Sequence, residues 1–151
     1  MKKDELMQKK DSTMTRIKNN KGAKKVKVIK IPYDMKIECT VHQVAEPGSP
    51  RCLDEIKELI GIEWAEIVLT RLKGEDPRRD YCLIVDEVGK LKEGWTKEIN
   101  PRACQFYTGA LHGDPIVGNV VLCAREWTST YGECDLAGLT DQEEEALRRY
   151  L

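Results

Sequence analysis

The chain has 151 residues, 40% hydrophobic and 34% charged, with a formal net charge of −1. That is enough apolar material for one domain that folds without metal or disulfide staples. It contains no apolar run of about 18 residues that would span a bilayer, and its N-terminus has no apolar core of a secretory signal. The balanced total hides an asymmetry. Residues 1–27 carry ten Lys/Arg and three Asp/Glu, whereas the other 124 residues carry 15 and 23. We expect a basic flexible tail over residues 1–24 and a single domain over 25–151. Low hydrophobicity accounts for the tail, and its lysines allow a weak nucleic-acid contact.

KVKVIKI over 25–31 alternates lysine with Val26, Val28 and Ile31, which predicts a strand with one wet face. After Pro32-Tyr33-Asp34, a turn signal, KIECTVHQV over 36–44 alternates again, so the two runs predict a hairpin. Ser49 and Pro50 suit the N-cap and first position of a helix whose Leu53, Ile56, Leu59 and Ile60 recur at helical spacing, and Gly61 suits its C-terminal stop. AEIVLTRL over 65–72 predicts a strand. YCLIVDEV over 81–88 and Ile116 to Cys123 are near-continuous apolar runs, which predict strands covered on both faces. Gly118 inside the second run predicts a bulge or a close backbone approach. Asn100-Pro101 predicts the cap and start of a short helix, PRACQFY. Thr140 and Glu143 form a capping-box signature ahead of a helix over 141–150. The expected fold class is α+β: a mixed, mostly antiparallel sheet of about five strands, one helix over 52–60 packed on it, and a C-terminal helix docking late.

The six cysteines, at 39, 52, 82, 104, 123 and 134, include no CxxC pair. Without an export signal they read as reduced thiols of a cytoplasmic protein. Cys39-x-x-His42 is half of a zinc pattern, but alternation along a strand puts the two on opposite faces. His112 and Asp114 could act as a base and its orienter, yet no nucleophile signature accompanies them, and Asp-Pro favours a turn. Asp86-Glu87, with Lys90, reads as a solvated turn at a strand end. The glycines match no phosphate-loop pattern. No catalytic residue, metal ligand or cofactor is therefore expected. The residues best suited to a ligand are Trp95, Arg102, Tyr107, His112, Asp114 and Arg125. Their aromatic and cationic groups, with Trp127 and Tyr131, suit a nucleotide base and phosphate.

The order of these motifs resembles domain-of-unknown-function family 3846. It rests on Asp86-Glu87-Val88-Gly89-Lys90, on Asn100 with Arg102-Ala103, on Asp114-Pro115-Ile116-Val117-Gly118 and on the terminal LTDQEEEALRRYL helix, and it covers roughly residues 26–151. The resemblance implies a small protein of phage or mobile-element origin, acting in the cytoplasm of a bacterial host. The function it points to is a non-enzymatic accessory protein that binds a host protein or a small nucleotide ligand, with inhibition of antiviral defence as one such role. A nucleic-acid-directed or DNA-mimic protein is the alternative, and a small hydrolase the second. A homo-oligomer is compatible with this reading.

Overall fold

The computed structural model describes residues 24–127 and 134–151. Among them, six strands form one sheet: β1 Lys25–Ile31, β2 Thr40–Ala45, β3 Ala65–Lys73, β4 Arg79–Asp86, β5 Val120–Trp127 and β6 Cys134–Ala137. The order is β2-β1-β5-β4-β3. β6 pairs with the outer half of β5, from Ala124 to Trp127, on the side where β1 pairs with its inner half. Every pairing is antiparallel. Among the described residues the α-helices are α1 Arg51–Ile60, α2 Pro101–Cys104 and α3 Asp141–Arg148. The architecture is the expected α+β. The sheet has one strand more than expected, and β6, short and mixed in composition, is the strand that carries no period in the sequence.

The two apolar runs are buried on both faces because each supplies alternate side chains to two cores. On one face Cys82, Ile84, Val121 and Cys123 meet Val28, Val44 and the stripe Cys52, Ile56 and Ile60 of α1. On the other, Ile29, Ile31, Tyr81, Leu83, Val85, Val120 and Leu122 pack under Ala103, Phe106 and Ile116, with Leu139 and Leu147 of the C-terminal segment. The C-terminus of α1 follows the sequence signal, whereas its N-cap falls at Pro50, one residue beyond the expected Ser49, with no side-chain cap bond. The Ser49 hydroxyl accepts from the Arg51 amide at 3.2 Å, and Gly61 closes the helix at φ 72°.

The segment between β4 and β5 is organised by Asn100, which is fully buried. Its amide donates to the carbonyls of Ile31 at 2.9 Å and Gly118 at 2.8 Å. Its side-chain oxygen accepts from the Ala103 amide at 3.0 Å, capping α2. The expected strand from Ile116 is therefore displaced. Val117 lies in an isolated bridge to Ile99, the Ile116 carbonyl accepts from the Asn100 backbone amide at 2.8 Å, and β5 begins only at Val120. Gly118 sits between them at φ 84°, a conformation open to glycine and strained for other residues. It is a hinge into the strand rather than a bulge within it.

The hairpin is also shorter than its alternation predicts, since β2 starts at Thr40 rather than near residue 36. Arg102 is the reason. One terminal nitrogen of its buried guanidinium donates to the carbonyls of Pro32 at 2.7 Å, Asp34 at 3.0 Å and Ile37 at 2.8 Å. Those carbonyls are taken up by a side chain, so the segment runs as a clasped loop.

α3 is held by charge. Thr140 and Glu143 make the full capping box. The Glu143 carboxylate also receives Arg79 at 2.7 and 2.9 Å and the Tyr81 hydroxyl at 2.9 Å. Lys27 pairs with Asp141 and Glu144. Burial pushes the Glu143 carboxyl up, but Arg79, the Thr140 amide and Tyr81 outweigh it, so the group sits below its ordinary value. Burial and Glu143 push Tyr81 up to about 12.

Two outcomes follow from these contacts. Asn100→Ala strands two buried carbonyls and one amide, and is expected to cost about 2–4 kcal/mol in urea unfolding. Glu143→Gln is expected to cost about 2–3 kcal/mol at neutral pH. Because the folded carboxyl is depressed, its stabilisation is complete above the unfolded value near 4.5 and is lost as pH falls through the folded value. The gap between wild type and Glu143→Gln should therefore close in melts below that value. A gap that stays constant down to pH 3 would mean that Glu143 is not the linked group.

Candidate interaction surface

The ten residues of α1 cover only part of their sheet face. β3 lies at the edge, and its partner β4 fixes which way its side chains point. Ile67 pairs with Ile84 and Leu69 with Cys82, so both project onto the α1 face. Among the described residues no helix reaches them, and they are 48% and 53% exposed. Leu53 of α1, 39% exposed, faces the same opening. Together these residues flank a groove of about 710 Å³ between α1, the loop over 46–50, β6 and β3. Its apolar lining includes Val26, Leu53, Ala65, Ile67 and Leu136, and Lys24 and Glu46 border it; Glu126 and Asp135 also line it, but they pair in register on the opposite face of the sheet, where Glu126 meets Arg79 at 3.3 Å. A groove of this size lies within the usual range for ligand sites, and contiguous exposed apolar surface rimmed by charge is the usual mark of a binding surface.

The edge of β3 is open along the same stretch. The Trp64 carbonyl accepts from the Glu87 amide at 2.9 Å, on the β4 side. Main-chain groups alternate along a strand, so those of Ala65, Ile67 and Leu69 point away from β4. At Arg71 the outward amide is taken by the Phe106 carbonyl at 3.0 Å, and the side chain binds the Gln105 carbonyl at 2.8 Å. The 105–106 loop thus covers the far end of the edge and leaves the part beside Ile67 open.

The six residues singled out in the sequence do not share one site. Arg102 is the clasp of the 32–37 loop, and its buried Nε has no hydrogen-bond partner. Arg125 lies on the α1 side of β5. It holds Asp80 through two bonds of 2.9 and 2.7 Å and stacks on Trp127 at 5.3 Å. Arg125 keeps the Asp80 carboxyl below its ordinary value against the opposing effect of burial. Trp95 starts a separate 3-10 turn over 95–98. Tyr131 lies outside the described residues, as do 1–23 of the basic tail.

Tyr107 and Asp114 do meet. The Tyr107 hydroxyl donates to Asp114 at 3.1 Å, and Lys90 pairs with the other carboxylate oxygen. Lys90 and then Tyr107 lower the Asp114 carboxyl below its ordinary value. The cavity beside them measures about 120 Å³, below the range of a nucleotide-sized site. His112 ends a neighbouring 3-10 turn and is exposed. Asp114 is engaged by Lys90 and Tyr107 rather than by His112. Asp86 accepts from the Val88 amide at 3.1 Å, as a turn-forming carboxylate does. His42 pairs in register with Val28 of the α1-side core, whereas Cys39 packs against the other core, which puts the half zinc pattern on opposite faces. Among the described residues, no group of three or more His, Cys, Asp or Glu is placed to hold a metal ion, and no helix is long and apolar enough to cross a membrane.

No protein-family model and no curated protein matches this chain. Among solved structures it is similar to the crystal structure of the small RNA methyltransferase HEN1, at 17% identity and a TM-score of 0.53, over 83% of this chain. The chain spans 16% of the length of that protein. At this identity the likeness concerns the fold alone.

The groove was missed in the sequence because its residues read as ordinary strand positions. The signal was present in AEIVLTRL, a strand whose apolar residues outnumber what one covered face needs. Stability measurements separate surface from core here. Ile67→Ser is expected to cost less than about 1 kcal/mol, and Ile84→Ser, at its cross-strand partner, more than about 3 kcal/mol. Ile67→Ser should also lower the fluorescence of a bound apolar dye. Equal costs at the two positions would show that Ile67 is core.

Proposed function

We propose that this chain is a non-enzymatic binding protein that receives a protein partner in the groove between α1 and β3. The observation that carries the reading is the exposed pair Ile67 and Leu69, set on a rigid strand beside a groove with an apolar floor. Binding surfaces concentrate affinity in a few apolar anchors at their centre, ringed by polar groups. A lining that is mainly apolar, with Lys24 as its one cation among the described residues, is why a protein partner is preferred over a nucleotide signal in this groove. The open main-chain groups beside Ile67 offer a strand-like segment of the partner further hydrogen bonds. The resemblance to family 3846 supplies the setting: a phage or mobile-element accessory protein whose partner is a host factor, with interference in antiviral defence as one such role.

The test is affinity purification from host cells with the full chain and with Ile67→Asp, followed by a binary measurement with each purified candidate. The partner is expected to bind the wild type and to lose at least about tenfold in affinity for Ile67→Asp, a change of about 1.4 kcal/mol. Circular dichroism and melting should show that the variant is folded. A partner bound equally by the folded variant would overturn the reading.

A further inference from the structure

We propose that a second copy of this chain pairs with the open edge of β3, antiparallel and centred on Ile67, so that two sheets join into one across a two-fold axis. The pairing itself stands apart from the binding role assigned above. Its consequence, that a strand-like host partner must displace the second copy, rests on that role.

The two edges of the sheet differ. On β2 the Glu46 amide is directed to the Lys24 carbonyl, so the neighbouring Ala45 amide points outward. It donates to the Glu55 carboxylate at 2.8 Å, and the exposed residues of this strand are the polar Thr40 and Gln43. Such an edge is poorly suited to a further strand. The far end of β3 is closed in a similar way. The register shifts between Leu69 and Lys73, and the Phe106 carbonyl takes the Arg71 amide at 3.0 Å. From Ala65 to Leu69 no such cover is present among the described residues. Glu66 is the one charge in that span, and Ile67 and Leu69 are half exposed. A bare apolar edge is a template for pairing with another chain.

The open span is symmetric about Ile67. Its outward main-chain groups belong to Ala65, Ile67 and Leu69, because the Trp64 carbonyl is directed to β4. An antiparallel copy centred on Ile67 sets Ala65 against Leu69, Ile67 against Ile67 and Leu69 against Ala65. Facing residues of this type exchange two hydrogen bonds, so the three pairs supply about six. A two-fold axis perpendicular to the sheet keeps like faces together, as an isologous contact requires. Ile67 and Leu69 then meet Ile67 and Ala65 of the second copy on the α1 face, where apolar cross-strand contacts stabilise the pair.

Charge and space agree with this register. The exposed Glu63 and Arg71 flank the span with opposite signs, and the axis sets each against the other in the second copy. The chain before Ala65 comes from α1 on one face, whereas the 105–106 loop comes from the core of the other face, where Phe106 is buried. The incoming strand and the loop therefore leave the edge on opposite sides. Glu66 meets Val68 of the second copy and lies diagonal to its Glu66, a like-charge contact that keeps the affinity modest.

Sedimentation velocity on the full chain, from about 1 to about 200 µM, is expected to show a monomer–dimer equilibrium with a micromolar Kd, as small interfaces give. Ile67→Lys sets like charges together on the axis and should raise that Kd at least about tenfold in a protein with native circular dichroism. Ile67→Cys reads the register. Facing Cβ atoms lie about 4.5–5.5 Å apart, so mild oxidation should link two copies through a disulfide that peptide mapping assigns to position 67 in both. A chain monomeric at every concentration, a dimer that persists in folded Ile67→Lys, or interchain disulfides mapped only to other positions would overturn the inference. In the partner assay, apparent affinity should fall at least about threefold when the chain is raised from well below to well above its dimer Kd; unchanged affinity would overturn the competition. The two readings fail separately. Loss of partner binding in Ile67→Asp, with a wild type that stays monomeric, leaves the binding role and removes the pairing. A dimer linked at position 67, with partner binding intact in Ile67→Asp, leaves the pairing and removes the binding role.

Discussion

The buried amide of Asn100 is the constraint on which the rest of this fold depends. It ties the last carbonyl of β1 to the Gly118 carbonyl ahead of β5 and caps α2 with its oxygen. A side chain with two donors and an acceptor can be fully buried only when all of these are met. Meeting them fixes three segments that are far apart in the sequence. β1 and β5 are brought into register at one end, and the 87–119 excursion is pinned over the core that contains Phe106. Arg102, two residues on, extends the same arrangement by clasping the 32–37 loop. The Asn-Pro-Arg-Ala stretch is thus a structural junction, and its polar residues are spent on backbone groups rather than on a ligand.

This division of labour explains why the two faces of the sheet differ. One face is sealed by the 87–119 segment and by α3, which is locked down through Arg79, Tyr81 and Glu143. Among the described residues the opposite face has only α1, too narrow to reach the outer strand. The apolar side chains of β3 on that face are left exposed, beside a mainly apolar groove. Stability is concentrated in the first face and in the junction, so substitutions on the second can alter binding with little effect on folding.

The charged groups divide in the same way. Lys27, Arg79 and Arg125 are held by carboxylates of neighbouring strands or of α3. These pairs fix the packing of β6 and the C-terminal helix, and the shifts of Asp80 and Glu143 follow from them. Glu126, in register with Asp135, belongs to the same network, meeting Arg79 at 3.3 Å on the α3 side of the sheet.

Much of this fold was determined by the sequence through local signals. The period of two in β1 and the apolar runs of β4 and β5 identify strands. The caps at Asn100, Thr140 and Gly61 set helix ends, because a cap is a contact between residues only a few positions apart. The stripe of α1 and the α+β class follow from the same local rules. Long-range pairing decided the rest. Nothing near residue 36 signals that Arg102 will take the loop carbonyls and delay β2. Nothing near Gly118 tells a hinge from a bulge until Asn100 arrives from 18 residues away. The six residues chosen for a ligand have suitable chemistry, yet the fold separates them, because chemical type is local and proximity is not. The groove itself exists only in the tertiary structure. Ile67 and Leu69 resemble any strand residues until the sheet order places β3 at an edge that α1 does not cover.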